Sequence, residues 1–329
     1  MAPPNPRRKT RPLSARPHSS SASRPPSARG PVRPHPSAAS RPSSVLPAPP
    51  SSLSSPHFEL KKSRSQNFLT DARVLEGEAE ALDVKGEAVL EIGAGDGRLS
   101  ERILQRGPAS LLLVEMDGRW AEYLRQKFRG EPRVQVVEAD FLSLPDTLAP
   151  AGPSTPSSFS RIAGNIPYQI TSPILLKLGR MKFAKAVLCV QKEVAERLAA
   201  PAGSSEYGRL SVYAQLRFEM QILEQVPRTS FTPPPKVDSA ILCLTPKSGV
   251  EALPPHLDAL TAALFSHRLQ SAAGALVHAR SHWGWSKAEA RAQAQNLKIP
   301  ARRVFQLAPD EFAELARALP APKPPRKGR

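Results

Sequence analysis

The sequence predicts an α/β protein: a Rossmann-like, doubly wound, mostly parallel seven-stranded sheet followed by a small all-helical C-terminal domain. Short apolar runs typical of buried strands alternate with helical segments between residues 88 and 200. The first of these strands runs directly into Gly93-Ala-Gly-Asp-Gly97, the kind of turn at which α/β proteins bind ligands. After Pro254, apolar residues recur at helical spacing. A chain of 329 residues can form one large or two modest domains around a sizeable core.

The individual elements follow from apolar periodicity and from turn-forming residues. Order is expected to begin near Phe58, and Thr70 or Asp71 is expected to cap a first helix that ends near Leu82. Thr171-Ser172-Pro173 has the form of another helix start, with a capping hydroxyl and a proline in the first turn. The predicted strands are 88–92, 110–115, 133–138, 159–164, 184–191, 218–226 and 239–244. After the first helix, the predicted helices are 98–106, 118–129, 172–180, 193–200, 255–266, 268–280, 286–296 and 309–318. A long loop is predicted at 145–158 and a flexible connector at 203–208.

Both ends of the chain differ in composition from its middle. Residues 1–56 contain nine Lys or Arg, no acid and fifteen prolines, so we expect a disordered basic extension. The last ten residues, 320–329, add four cations and no acid. Two domains are predicted between these tails, at 57–250 and 251–319. Basic tails on a mildly basic core indicate a polyanionic partner such as nucleic acid, although such tails can also be merely solvated.

The sequence also bears on location and on metal binding. Cys189 and Cys243 each lie in an apolar run, which predicts reduced, buried thiols and neither a disulfide nor a metal site. No apolar run approaches 18 residues, so no transmembrane helix and no membrane partner are expected. The N-terminus lacks the apolar segment of a secretory signal. Its composition overlaps with organelle transit peptides, but its prolines would break their amphipathic helix. We therefore expect a cytoplasmic protein, with an organellar location as the alternative.

The glycine loop after the first strand indicates a nucleoside ligand. Its G-x-G-x-G spacing differs from the G-x-G-x-x-G of dinucleotide sites, which favours a ligand without a pyrophosphate, as in S-adenosylmethionine enzymes. Glu115 ends the second strand, where a carboxylate can accept both ribose hydroxyls. Asp140 follows the third strand and is placed to accept from an adenine amine. Each feature alone is often structural, but three at the ends of successive strands predict a cofactor site.

A second constellation, Asn165-Ile166-Pro167-Tyr168, suits the methylation of an exocyclic amine. The lone pair of such a nitrogen is conjugated into the ring and must be turned toward the methyl donor. The Asn165 side-chain oxygen and a carbonyl of Ile166 or Pro167 can accept the two amine hydrogens, and Tyr168 can stack on the base. The stretch can also be an ordinary strand-to-helix turn.

An aromatic residue precedes a stiff loop near the end of the predicted sheet. Phe231 comes just before Pro233-Pro234-Pro235-Lys236, and such a loop can present a ring to the other face of a flipped-out base. The alternative is that Phe231 anchors this loop in the core.

Taken together, these motifs resemble the ribosomal RNA adenine N6,N6-dimethyltransferases, which dimethylate two adjacent adenosines in a hairpin near the 3′ end of small-subunit rRNA. The resemblance runs from about Phe58 to Pro320. The combination of Q-N-F-L, N-I-P-Y and F-x-P-x-P-K-V-x-S is highly specific. The matching segments are Q-N-F-L (66–69), V-L-E-I-G-A-G-D-G (89–97), V-E-M-D (114–117), E-A-D (138–140), G-N-I-P-Y (164–168), Q-K-E-V-A-E-R-L (191–198), Y-G-R-L-S-V (207–212) and F-T-P-P-P-K-V-D-S (231–239).

The resemblance implies S-adenosylmethionine as the cofactor, and small-subunit rRNA and the pre-small ribosomal subunit as partners of a monomeric enzyme. The residues it implies for the target base are Asn165, Ile166, Pro167, Tyr168 and Phe231. Those it implies for the cofactor are Gln66, Asn67, Leu69, Gly93, Gly95, Glu115, Met116, Asp140, Phe141 and Asn165.

The sequence departs from the family where the helical domain begins. The family usually has a phenylalanine, a basic cluster and an asparagine before a leucine. In the corresponding segment, 265–276, Arg268 is the only firm cation and Gly274 stands where asparagine is common. This puts the rRNA contact of that helix in doubt, although Lys61, Lys62, Arg64 and the basic tails can compensate.

Two other functions are compatible with this fold. A transcription or assembly factor can retain it for nucleic-acid binding without catalysis. An enzyme is favoured by the intact set of Asn165, Tyr168, Phe231, Glu115 and Asp140. A DNA adenine methyltransferase normally carries an acid or serine at the Asn165 position and a separate recognition domain, and the sequence shows neither.

Overall fold

The computed structural model describes residues 67–148, 158–249 and 253–323. The predicted extension at 1–56, the predicted cofactor residue Gln66, most of the 145–158 loop and the last six residues of the basic tail lie outside the described residues. So does the predicted boundary between the two domains, which stays a prediction.

The predicted seven-stranded sheet is confirmed. Its strands are β2 Ala88–Ile92, β3 Ser110–Glu115, β4 Val134–Glu138, β5 Arg161–Asn165, β6 Lys185–Gln191, β7 Phe218–Val226 and β9 Ser239–Pro246, while two shorter strands lie in a second sheet. The spatial order is β4-β3-β2-β5-β6-β9-β7. The strands β2 to β6 pair in parallel, whereas β9 is antiparallel to both β6 and β7. Strand order reverses between β2 and β5, and this is the point at which doubly wound sheets bind ligands.

The second, two-stranded sheet is not predicted by the sequence. The strands β1 (Phe68–Leu69) and β8 (Phe231–Thr232) pair antiparallel, with Leu69 opposite Phe231. The Thr70 backbone N–H extends the pairing by donating to the Ser230 carbonyl at 2.8 Å. Strands of two residues show no alternation of apolar and polar side chains, so the sequence carries no sign of this contact. The pairing brings the predicted cofactor segment next to the predicted target-base loop.

Ten α-helices cover the sheet and form the C-terminal part of the described chain. Asp71 caps the first helix as predicted, accepting from the backbone N–H groups of Arg73 and Val74. The helices are α1 Ala72–Leu82, α2 Arg98–Gln105, α3 Gly118–Lys127, α4 Thr171–Leu178, α5 Lys192–Ala199, α6 Arg209–Arg217, α7 Leu257–Phe265, α8 Ala272–His278, α9 Lys287–Asn296 and α10 Pro309–Ala318.

One prediction about helices was wrong, and one helix was missed. No hydroxyl caps α4, because a turn of 3-10 helix at Tyr168–Ile170 runs directly into it and leaves no extended residue to act as a cap. Helix α6 was missed, since it passes into strand β7 at Phe218 with no Gly or Pro between them to mark a boundary.

The C-terminal helices share an apolar core with α6 and the segment that precedes it. Tyr207 is fully buried in that core, and its hydroxyl donates to the Leu307 carbonyl at 2.9 Å. Phe265 and Phe312 stack there with ring centroids 5.4 Å apart. Val212 of α6 joins the same cluster, so α6 connects the helical part to the sheet.

The cysteines are both free thiols, with Cys189 buried and Cys243 half-buried. Across the described ranges, no helix combines the length and the apolar character needed to cross a lipid bilayer.

Candidate active site

A cavity opens at the carboxyl ends of the parallel strands, where β2 and β5 lie side by side. The glycine loop follows β2, and Asn165 is the last residue of β5. Every predicted site residue that the structure describes lines this cavity: Asn67, Leu69, Gly93, Gly95, Glu115, Met116, Asp140, Phe141, Asn165, Ile166, Pro167, Tyr168 and Phe231. The topology therefore brings together the residues that the sequence assigned to the cofactor and to the target base.

The glycine loop is shaped to lie close to Phe68. Gly95 has a φ of +55°, a conformation that side chains disfavour, and a Cβ placed on it would lie 2.7 Å from Cε1 of Phe68. The indole of Trp120 packs against the same phenylalanine, with ring centroids 5.0 Å apart. Phe68 is thus held over the glycine loop, and β1 forms one wall of the cavity.

Replacing Gly95 with alanine should disturb this wall of the cavity. The new methyl group would displace the Phe68 ring, so we expect Gly95→Ala to weaken binding of S-adenosylmethionine, the cofactor that the resemblance implies, about tenfold or more, measured by isothermal titration calorimetry. Gly107 is a matched control, because its φ of +73° imposes the same backbone strain while a Cβ added to it would meet no atom within 4 Å. Gly107→Ala should cost stability but leave the dissociation constant unchanged. An equal loss of affinity in both variants would show that backbone strain, and not the Phe68 contact, is responsible.

Glu115 closes the cavity at the end of β3. It is 8 % exposed, and its two carboxylate oxygens accept from the backbone N–H groups of Gly95 at 3.0 Å and Asp117 at 2.8 Å. Burial raises the pKa of Glu115, and the hydrogen bonds from these N–H groups oppose that rise. Each carboxylate oxygen has a second lone pair, so the group can still accept from two ribose hydroxyls.

The three other residues predicted at the nucleoside differ in exposure. Met116 is 49 % exposed at the cavity wall, whereas Phe141 is buried. Asp140 is exposed, and its Oδ1 accepts from the Leu142 backbone N–H at 2.9 Å, which caps a short turn of 3-10 helix. Asp140 therefore has a structural role at the cavity rim, whatever else its carboxylate binds.

Asn165 is anchored by the sheet but has an unpaired side-chain oxygen. Its backbone pairs with Cys189 of β6, and the Ile166 backbone N–H donates to the Cys189 carbonyl at 3.0 Å. The Asn165 Oδ1 atom is buried, with no hydrogen-bond partner among the described residues. A buried, unpaired acceptor is costly, and at a functional site it indicates a missing donor.

The two predicted aromatic contacts differ in how much surface they offer. Tyr168 is half-buried, and its hydroxyl lies 2.6 Å from the Ser239 hydroxyl. Phe231 lines the cavity but is only 5 % exposed, because it packs with Leu69 and Val226 in an apolar cluster. Phe231 is therefore a core anchor as well as a cavity residue, and its stacking on a base stays a prediction.

Sequence reasoning missed a buried acid behind the glycine loop. Glu91 is 2 % exposed and lines the cavity, and its Oε2 accepts from the Ser100 hydroxyl at 2.6 Å. Burial raises the pKa of Glu91 to about 8. Its position inside the apolar strand A-V-L-E-I was the signal that could have identified it.

A second buried acid lies on the inner face of α1. Glu78 occupies a position of the apolar stripe that includes Val74 and Leu82, and neither of its carboxylate oxygens has a partner among the described residues. Burial raises the pKa of Glu78 well above its ordinary value, and the nearby charge of Glu91 raises it further. Burial likewise raises the pKa of the Cys189 thiol, and the nearby charge of Glu78 raises it further.

Replacing Glu78 with leucine should stabilise the protein, because an apolar side chain would fill a site that leaves two polar atoms unpaired. We expect the free energy of unfolding to rise by about 1–3 kcal/mol at pH 7, measured by urea denaturation. The folded state holds the Glu78 proton more tightly than the unfolded chain does. The stability that this tighter proton binding gives the folded state is therefore complete below the ordinary pKa of 4.5. It is lost as the pH rises toward the pKa that Glu78 has in the folded protein. The gain from Glu78→Leu should accordingly be larger at high pH, in the range of about 9, than near pH ~5.

Glu80, on the exposed side of the same helix, supplies the control. Glu80→Leu should change stability by less than about 0.5 kcal/mol at either pH. A gain from Glu78→Leu that did not vary with pH would contradict the assignment of a buried, neutral acid.

Comparison with known proteins identifies what this chain is similar to. The model of the family described as ribosomal RNA adenine dimethylase matches residues 57–291. A probable ribosomal RNA small subunit methyltransferase A from Methanopyrus kandleri is 36 % identical over 260 residues, covering 77 % of this chain and 90 % of its own. Its counterpart from Gloeobacter violaceus is 38 % identical over 265 residues, with 77 % and 91 % covered. The crystal structure of a dimethyladenosine transferase from Plasmodium falciparum is 27 % identical, covers 75 % of this chain and 95 % of its own, and superposes with a TM-score of 0.63.

Proposed function

This chain belongs to the ribosomal RNA adenine dimethylase family and is a methyltransferase of ribosomal RNA, and we propose that it dimethylates the N6 amines of two adjacent adenosines in a 3′-terminal hairpin loop of small-subunit rRNA. The methyl donor we propose is S-adenosylmethionine. The observation that carries the proposal is the buried and unpaired Oδ1 of Asn165, a residue that lines the cavity beside the glycine loop.

The residues of the cavity fit the proposed cofactor. Glu115 offers a carboxylate to the ribose, and Gly93 and Gly95 let the backbone approach the ligand closely. The apolar side chains of Met116 and Phe141 suit the faces of an adenine. When bound, S-adenosylmethionine supplies an electrophilic methyl group whose sulfonium leaves as a neutral thioether.

The chain's own task is to orient the target amine and to raise its nucleophilicity. Asn165 Oδ1 accepts one N6 hydrogen, and a backbone carbonyl accepts the other. The Pro167 carbonyl already accepts from the Ile170 backbone N–H at 3.0 Å, which favours the Ile166 carbonyl for that second contact. Two acceptors draw the amine toward a tetrahedral geometry and aim its lone pair into the cavity. Tyr168 borders the same part of the cavity, where its ring can stack on the base.

The partners and the location are part of the same proposal. Small-subunit rRNA, met in the pre-small ribosomal subunit, suits a basic protein, since phosphate contacts by Lys and Arg supply most nonspecific affinity for nucleic acid. We propose a monomer that acts in the cytoplasm, with an organellar location as the alternative. A factor that binds RNA without catalysis would not need an unpaired acceptor in a cofactor-sized cavity.

A deletion strain tests the proposed reaction in the cell. We expect small-subunit rRNA from cells that lack this protein to lose both adjacent dimethyladenosines, as detected by mass spectrometry of rRNA fragments. A plasmid that carries the wild-type gene should restore both modifications, and one that encodes Asn165→Ala should restore neither. Persistence of both dimethyladenosines in the deletion strain would refute the proposal.

A further inference from the structure

Ser239 is a buried hydroxyl in contact with a residue that the proposed reaction places at the target base. It is fully buried as the first residue of β9, where its backbone pairs with Gln191 of β6 on one side and Val226 of β7 on the other. Its hydroxyl lies 2.6 Å from that of Tyr168. One hydroxyl therefore joins the sheet to the aromatic ring at the cavity.

We propose that Ser239 is a positioning residue, which holds the Tyr168 ring in the orientation that stacks on the target adenine. The inference rests on the proposed function, because it assumes that Tyr168 contacts the base. Ser239 itself is not among the residues that line the cavity, so its effect on the reaction must pass through Tyr168.

The two ends of this contact differ in how firmly they are held. Ser239 lies in a strand flanked by two others, so its backbone cannot shift without breaking two sets of sheet hydrogen bonds. Tyr168 lies in a single turn of 3-10 helix, and its half-buried ring can rotate about two side-chain torsions. The hydroxyl contact fixes the outer end of that ring. A base that flips into the cavity and stacks on a fixed ring does not have to immobilise it, which favours the stacked arrangement from which the methyl group is transferred.

The proton positions suit such a contact at neutral pH. Burial raises the pKa of Tyr168, so its hydroxyl remains a neutral donor. A serine hydroxyl has one donor and two acceptor lone pairs. Ser239 can therefore accept from the Tyr168 hydroxyl. Burial raises the pKa of the nearby Cys189 thiol as well, and the charge of Asp238 adds to the rise in the pKa of Tyr168.

A double-mutant cycle in the full-length protein tests the inference. We expect Ser239→Ala to lower kcat on rRNA about fivefold while the dissociation constant for S-adenosylhomocysteine stays within twofold of wild type. Tyr168→Phe removes the other hydroxyl but keeps the ring, and it should lower kcat by a similar factor. The double variant should be no slower than either single variant, because all three lack the same contact.

Ser211 supplies a matched control for the loss of a buried serine hydroxyl. It is also fully buried, and it bonds the Arg197 carbonyl in α5, away from the cavity. Ser211→Ala should lower Tm as much as Ser239→Ala does, or more, with kcat unchanged for the folded enzyme.

Two results would overturn the inference: wild-type kcat in Ser239→Ala, or multiplying effects of Ser239→Ala and Tyr168→Phe in the double variant. A fall in cofactor affinity that parallels the fall in kcat would also overturn it, because it would indicate general damage to the site. These outcomes are distinct from failure of the proposed function, in which the wild-type protein itself would not dimethylate the rRNA.

Discussion

Asn165→Ala should lower the rate of methyl transfer at least 100-fold while cofactor binding stays within about threefold of wild type. The substitution removes the buried acceptor that we propose to orient the N6 amine, and losing one preorganised group of this kind costs about 100-fold to 1,000-fold in kcat. It does not touch Glu115 or the glycine loop. Single-turnover methylation of rRNA measures the chemical step, and calorimetry with S-adenosylhomocysteine measures cofactor affinity.

Asn296→Ala is the matched control, because Asn296 is exposed at the end of α9. It should leave both quantities unchanged. If Asn165→Ala instead abolished cofactor and RNA binding together, Asn165 would be a structural residue of β5, and the unpaired Oδ1 would have to be explained otherwise.

Glu115→Gln should weaken S-adenosylmethionine binding about 30-fold or more, although the side chain keeps its size. In the wild type, both carboxylate oxygens accept from backbone N–H groups, those of Gly95 and Asp117. A glutamine amide would turn an N–H₂ group toward one of these donors, leaving a buried N–H unpaired and disturbing the glycine loop. The same change removes an acceptor that we propose for the ribose.

Glu138 provides the control for this substitution. It ends β4 in register with Glu115 but is exposed, so Glu138→Gln should leave the dissociation constant within twofold of wild type. Affinity for rRNA without cofactor should be unchanged in both variants. Wild-type cofactor affinity in Glu115→Gln would show that the carboxylate does not bind the nucleoside.

Much of the cavity could be predicted because its residues follow buried strands along the chain. An apolar run that ends in a glycine, an acid or an asparagine marks the carboxyl end of a parallel strand, and such ends meet at one edge of the sheet. Gly93, Glu115 and Asn165 were located in this way. The C-terminal helices were predicted from their apolar periodicity alone, with bounds that shifted by only a few residues.

The features that were missed depend on contacts between distant parts of the chain. The pairing of Phe68 with Thr232 and the contact of Tyr168 with Ser239 each join segments that no local pattern relates. The expected hydroxyl cap of α4 was wrong because the preceding turn is itself helical, which a Thr-Ser-Pro sequence does not reveal. Glu78 was passed over because a glutamate on a helix is ordinarily exposed, and only its packing between α1 and the sheet shows that it is buried.

The proposed reaction can be tested most directly with purified components. The protein would be incubated with S-adenosylmethionine and with small ribosomal subunits that lack the modification, and the rRNA then digested and sequenced by mass spectrometry. We predict two methyl groups on each of two adjacent adenosines in the 3′-terminal hairpin, with no methyl groups added to other nucleotides of the small-subunit rRNA. Methylation confined to other nucleotides, or none at all by protein that binds the cofactor, would contradict the proposal.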